Sequence, residues 1–400
     1  MQTLRTPGVY WQEITIQPPP LLETGVPAFL GYVVPQQADR YNRPVKLNTW
    51  PQFANHFKPE ANPSSYVMDC VQAFFENGGR RCYVVPLEPV TTSTNAIASL
   101  SKGLDAIGQL DDLDIVCAPD VMLPLVETFR ADRQRYQFDL LTLRRTAQEM
   151  QRRILSHCDS LGNRIALLDS YPFYDELSCT PAEVVQQRGG LEAANGALYY
   201  PWVQLASGRS VPPCGHIAGI IAQTDQTIGV HKAPANHMLT GVVDIAYPLD
   251  DTINGELYPQ QINCLRAFSG RGVRVWGART LQTNTRWAFV NNRRLLLTVG
   301  RWIQLILTEA TFEANTPMLW AQIEREVGAY LNTLLLGGAL TGSSAEEAYY
   351  VRCNADTNPP AARENGMVIA QVGLALTVPN EFIEARVVIH ASNAQFILPE

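Results

Sequence analysis

Asp114-Ile115-Val116-Cys117-Ala118 and Arg164-Ile165-Ala166-Leu167-Leu168-Asp169 are two short apolar runs, separated by a segment of helical character near Leu140–His157. A further helical segment near Ala96–Gln109 precedes the first run. Strands that alternate with helices in this way build a mainly parallel sheet, so residues 91–210 read as an α/β unit. Upstream, Val26–Val34 (VPAFLGYVV) is apolar and small enough for a buried strand. Between Ser65 and Asn77 the apolar positions Val67, Cys70, Val71, Phe74 and Phe75 keep the spacing of a one-faced helix. Gly78-Gly79 stops that helix, and Arg81–Pro86 (RCYVVP) returns as a strand.

Downstream of Thr285 the pattern is helical to about Thr308 and resumes after Thr316-Pro317, an N-cap and first-turn pair. Leu319, Trp320, Ile323, Val327, Tyr330, Leu331 and Leu334 form the buried face of this second helix. Ser343 and Glu346 have capping-box spacing ahead of a strand at Tyr349–Cys353. Two strands close the chain, at Met367–Thr377 and Glu381–His390. In the last, Ile383, Ala385, Val387 and Ile389 alternate with Glu384, Arg386 and His390. At the other end, the β-prone stretch Val9–Ile16 is cut off from the rest by Pro18-Pro19-Pro20, whose extended geometry makes it a projecting arm.

The composition bounds the function. At 400 residues, 46% hydrophobic and 17% charged, the chain is globular, and about three quarters of its unfolded surface can be buried. A net charge of −7 gives no field for a phosphate backbone, so no nucleic-acid partner is expected. The longest apolar stretch, Leu295–Leu307, is interrupted by Thr298, Gly300, Arg301 and Gln304, so no membrane insertion is expected either. The opening MQTLRTPGVY carries no secretory signal pattern, which places folding in the cytoplasm of the producing cell. Eight scattered cysteines without a C-x-x-C pair read as buried, reduced thiols. Only four of 31 basic residues are lysine (Lys46, Lys58, Lys102, Lys232), and arginine suits fixed ion pairs between rigid surfaces. The basic helix with Arg144, Arg145, Arg152 and Arg153 reads as a solvated or subunit-facing surface.

Chemistry has few footholds. Asp120 and Asp169 follow the two apolar runs, where an α/β sheet places its ligands, and a metal-dependent hydrolase using this pair is the alternative reading. Helix-capping aspartates occupy the same positions in many sheets that catalyse nothing. Cys214, His216, His231 and His237 have metal-ligand chemistry without zinc-site spacing. No phosphate loop, G-x-S-x-G elbow or H-E-x-x-H helix occurs, and Gly270-Arg271-Gly272 reads as a turn before the strand Val273–Trp276. No cofactor is expected.

Several blocks together resemble the sheath proteins of contractile phage tails and of related bacterial contractile injection systems. Thr6-Pro7-Gly8-Val9-Tyr10 with Glu13-Ile14 is similar to that family's opening, Val26–Gly31 to its next block, and Glu76–Val85 (ENGGRRCYVV) to a third. Ala197–Trp202, Pro213–Gly219 (PCGHIAG), Gly229–Asn236 (GVHKAPAN), Ile262–Arg266, Gly270–Leu281 (GRGVRVWGARTL) and Trp287–Leu295 continue the likeness. Gly338–Leu340, Glu346–Cys353, Thr357–Pro359, Val372-Gly373 and Pro379–Ile383 carry it nearly to the end.

The resemblance implies a mixed α+β and α/β fold. It comprises an N-terminal β-arm and proline linker (1–24), a core domain in two parts (25–90 and 211–380), an inserted α/β domain (91–210) and a C-terminal β-arm (381–400). It implies a structural subunit and no enzyme: hexameric rings stacked helically around an inner tube protein, with baseplate and terminator or cap proteins as further partners. Such a particle is assembled in the bacterial cytoplasm and contracts to drive its tube through a target membrane. Val9, Tyr10, Trp11, Glu13, Ile14 and Ile16 in one arm, with Phe382, Ile383, Ala385, Val387 and Ile389 in the other, are the expected inter-subunit strands. Glu324, Arg325 and Glu326 are the expected contact with the inner tube.

Overall fold

The apolar runs of the sequence become strands of one large sheet. The computed structural model describes residues 22–90, 92–123, 133–172, 179–284, 287–309, 313–376, 383–390 and 393–397. Its first strands are β1 (Pro27–Gly31), β2 (Val45–Leu47), β3 (Cys82–Pro86), β4 (Ile115–Cys117), β5 (Ile165–Asp169) and β6 (Gly196–Tyr200). A small three-stranded sheet of β7 (Val203–Leu205), β8 (Ser210–Val211) and β9 (Val242–Ile245) follows, before β10 (Ile262–Phe268) and β11 (Gly272–Val275) rejoin the large one. The eight strands lie in the order β11-β10-β6-β5-β4-β1-β3-β2. Only the outermost pairs, β10–β11 and β2–β3, are antiparallel.

The division expected at residue 90 runs through this sheet. β1 pairs with both β3 and β4, so residues 25–90 and 91–210 share one sheet and one apolar core. Strand pairing sets the two segments side by side.

Helices cover both faces. They are α1 (Val67–Glu76), α2 (Ser93–Ile107), α3 (Arg133–Leu161), α4 (Pro181–Gly189) and α5 (Cys214–Thr227). Along β1, Leu30 reaches towards Gly103 of α2 while the next residue, Gly31, abuts Val67 of α1, so these two helices lie on opposite faces. β1, β3, β4, β5 and β6 are accordingly buried at every position.

α1 and α5 cross in near backbone contact. A Cβ on Gly215 would lie 2.2 Å from the Cys70 carbonyl oxygen, and one on Gly219 would lie 2.6 Å from that of Phe74. The PCGHIAG block is thus a close-packing motif. Its partner block does the same from the other side: Asn77, at the end of α1, accepts from Thr240 N–H and donates to Thr240 C=O, while Gly78 takes a φ of 99° that favours glycine.

A second core begins at α6 (Val290–Glu309) and α7 (Pro317–Leu336), backed by an antiparallel sheet of β12 (Tyr349–Arg352), β13 (Val368–Leu374), β14 (Ile383–His390) and β15 (Asn393–Ile397). Trp302 and Tyr330 stack between the helices with ring centroids 3.8 Å apart and planes within 8°. Thr316 does begin α7, but its side chain makes no capping bond. The capping interaction expected at Ser343 and Glu346 sits one residue on: Ser344 caps Glu347 N–H, and the Glu347 carboxylate accepts from Ser343. All eight cysteines are free and buried, as their scatter implied.

Replacing Gly219 by valine drives a branched side chain into the α1 backbone, which cannot yield as a side-chain tip would. Thermal or urea unfolding of Gly219→Val is expected to show a loss of at least about 2 kcal/mol, or no soluble protein.

Candidate assembly surfaces and the buried seam

Three arginines on α6 fasten the second core to the first. Arg294, 3% exposed, donates through Nη1 to Asp225 Oδ1 at 2.7 Å and through Nη2 to Asp225 Oδ2 at 2.6 Å and Asp114 Oδ2 at 2.8 Å. Asp114 also accepts from the backbone N–H groups of Gly25 and Val26. One guanidinium thus ties α6 to α5, to the start of β4 and to the chain entering β1. Burial works against its charge, but Asp225 and Asp114 outweigh burial and hold Arg294 protonated more firmly than usual. Beside it, Arg293 donates to Asn195 Oδ1 and Arg301 to the Asp111 carbonyl. Arg164, fully buried at the start of β5, donates to the carbonyls of Ile107 and Leu110, where burial lowers its pKa to about 10. Much of the arginine bias therefore serves the interior. On the basic helix, Arg144 pairs with Glu183 at 2.6 Å and Arg153 with Glu149 at 3.2 Å, whereas Arg145 is exposed.

The candidate catalytic carboxylates are structural clamps. Asp120, 1% exposed, accepts from Tyr32 N–H, Tyr66 N–H and the Ser65 hydroxyl, at 2.7, 2.7 and 2.6 Å. It joins the end of β1 to the start of α1. Asp169 accepts from Cys214 N–H at the first turn of α5. Burial raises Asp169 to about 7, and it raises Asp120 to about 6 against the hydrogen bonds that pull Asp120 down. Among the described residues no group of three or more His, Cys, Asp or Glu side chains is placed to hold a metal ion. His216 is buried in α5 with its pKa lowered by burial to about 4, while His231 and His237 lie in the partly exposed loop after it.

The expected arm residues divide. Val9, Tyr10, Trp11, Glu13, Ile14, Ile16 and Phe382 lie outside the described residues. Ile383, Ala385, Val387 and Ile389 fall in β14, which pairs with β13 on one side and β15 on the other within the same chain. β15, a strand the periodicity did not announce, also runs beside α6. Of the expected tube-contact residues, Arg325 is exposed on α7 and Glu326 half-buried with its Oε1 accepting from Gln322. Glu324 is turned inward: its Oε1 accepts from Cys353 N–H at 2.6 Å. No helix among the described residues is long and apolar enough to cross a membrane.

A family model described as the phage tail sheath protein central domain matches residues 122–281. A tail sheath protein of Vibrio phage KVP40 is 27% identical over 193 residues, which cover 47% of this chain and only 28% of that protein's own length. Among solved structures, a chain of the anti-feeding prophage baseplate is 29% identical with a TM-score of 0.73, covering 95% of this chain and 98% of that one. The helical sheath of the same system in its contracted state gives 28%, 0.72, 95% and 98%. The contracted sheath complex of an extracellular contractile injection system, PVC, gives 28%, 0.68, 96% and 97%. The chain is therefore a phage-tail-like structural protein with the fold of a sheath subunit along almost its whole length. The motif blocks implied this likeness to contractile tail sheath proteins, and these matches agree with it.

The raised pKa of Asp169 gives a signed pH test. Its carboxyl binds a proton more tightly folded than unfolded, so its contribution is full below the unfolded value near 4 and is lost as pH rises towards 7. Denaturant melts of the wild type should lose roughly 2 kcal/mol between pH 5 and pH 8 from this group. Asp169→Asn should flatten that dependence; an equally steep profile in the variant would refute the assignment.

Proposed function

We propose that this chain is the sheath subunit of a contractile injection particle and performs no catalysis. The observation that carries the reading is the end-to-end likeness to a contracted helical sheath, 95% of this chain against 98% of that one at a TM-score of 0.72. Subunits stack as hexameric rings around an inner tube, meet a baseplate at one end and a terminator or cap protein at the other, and are put together in the bacterial cytoplasm. On contraction they rotate and slide as rigid bodies, and the tube advances through a target membrane. The stored free energy lies in the arrangement of subunits, so the stroke asks for no nucleotide site.

The buried seam supports rigid-body motion: breaking a buried ion pair by removing one partner costs about 3–5 kcal/mol, more than a lattice contact readily supplies. The hydrolase alternative draws no support from Asp120 and Asp169, whose oxygens are engaged by the chain's own donors.

The two ends of the chain are the proposed links between neighbours. A β-prone segment isolated by three prolines gains hydrogen bonds only by joining another sheet. β14 and β15 complete a sheet within one chain, and the same register can be offered by a neighbour in an assembly, an exchange that adds no new kind of contact. Residues 1–24 and 381–400 are thus the arms, and the two cores between them are the moving body.

Two experiments test this reading. Electron microscopy of the protein produced with its tube partner should show hollow, striated cylinders with sixfold symmetry; discrete oligomers would group it with baseplate components instead. Deleting residues 1–17 should leave a melting profile close to wild type and abolish cylinders, and cylinders that persist would dismiss the arm. For the tube contact, Arg325 and Glu326 are the outward candidates, since Glu324 holds Cys353 in place. Arg325→Glu with Glu326→Lys is expected to leave the fold intact and reduce tube-filled sheaths several-fold, read by counting filled and empty particles.

A further inference from the structure

The β10–β11 hairpin gathers arginines and aromatic rings on one face. Strand alternation sends Leu265, Val273 and Val275 into the core and sets Arg266, Phe268, Arg274 and Trp276 on the other face. Arg266 and Arg274 stand directly opposite each other, and like charges so placed destabilise a sheet. Phe268 and Trp276 tilt together with centroids 4.8 Å apart, and the guanidiniums of Arg266 and Arg271 sit 5.0 and 5.6 Å from the Phe268 ring.

Only Arg266 has a carboxylate, Asp251, itself 93% exposed. Arg271 and Arg274 form no ion pair among the described residues, and Arg274 donates only to backbone carbonyls and the Asn236 side chain. Beside them Met238 and Val243 are 53% and 62% exposed. The pKa of nearby His237 is lowered by burial and then by Lys232 and Arg274, so the local potential is positive. Aromatic rings, arginines and an exposed methionine are the composition of an interface centre.

We propose that this face of the hairpin docks a second copy of this chain and receives its Asp105 and Asp111. These two carboxylates are exposed and in no ion pair among the described residues; Asp105 lies near the end of α2, and Asp111 precedes β4, a central strand of the sheet. The hairpin tip projects past the carboxyl end of β10, whereas Asp111 precedes the amino end of β4, and the two strands run parallel within one sheet. A contact between them joins different patches offset both across and along the strands. Such a heterologous, offset contact propagates as a helix and does not close on a dimer. The charge-assisted pairs would give Arg271 and Arg274 the carboxylates that they lack among the described residues.

The inference rests on the sheath reading, so its test has one arm that needs no sheath. Arg271→Glu, at an exposed side chain, and separately Asp105→Arg with Asp111→Arg, should each cut the cylinder yield about tenfold while keeping the wild-type melting profile, and mixing the two proteins should restore it. Unchanged yield from either variant, or no restoration on mixing, would overturn the pairing. Independently, Arg274→Cys combined with Asp111→Cys should give a ladder of disulfide-linked multimers under mild oxidation, because the native thiols are buried. Monomer alone in that experiment overturns the contact, while a ladder from a protein that never forms cylinders supports the contact and sinks the sheath reading instead.

Discussion

Arg294 is the constraint on which the arrangement of the molecule depends. Its guanidinium engages Asp225 with both Nη atoms and reaches Asp114 as well, so one side chain closes the joint between α5, α6, β4 and the strand entry at Gly25-Val26. Lysine could not do this, since a point charge on a flexible stem lacks the planar fork that serves two carboxylates at once. The two apolar cores also meet along α6, whose Val290 belongs to one and whose Leu295 onward to the other, and where Ala194 and Val230 pack against the second.

The same economy recurs wherever the sheet needs an anchor. Asp120 and Asp169 follow adjacent parallel strands, yet Asp120 accepts from Tyr32 and Tyr66 N–H and the Ser65 hydroxyl and Asp169 accepts from Cys214 N–H at the start of α5, and their raised pKa values record the cost of keeping them away from water. The resemblance blocks have a similar explanation. ENGGRRCYVV ends α1, crosses to β9's approach through Asn77 and Thr240, and opens β3, while PCGHIAG supplies the two glycines that let α5 rest on α1. Residues shared with a family for architectural reasons fix the shape of the subunit, and the surfaces that meet other proteins are built on that shape.

Those surfaces are of two kinds. On the proposed reading, the two ends of the chain link neighbours by backbone pairing that is indifferent to side-chain identity, while the β10–β11 hairpin and the outer face of α7 would read a partner by charge. An assembly that must change its lattice without dissociating needs both, because backbone links can persist while charge contacts break and re-form.

By itself the sequence determined the element types, since apolar runs and helical spacing are local properties: the strands near residues 27, 82, 115 and 165 and the helices from residues 67 and 317 lie where their periodicity put them. It also carried the likeness to contractile tail sheath proteins, because blocks such as GVHKAPAN and GRGVRVWGARTL are long and specific. It left three things to the tertiary structure. The strand order, which makes residues 25–90 and 91–210 one sheet, depends on pairings across tens of residues that no window reveals. Asp120, Asp169 and Glu324 look alike in sequence whether they face solvent, a metal or a backbone N–H, and only burial and neighbours separate those cases. The arginines were legible as an excess but not as a seam, because the carboxylates that complete Arg294 lie 69 and 180 residues away in the chain and come together only through the fold.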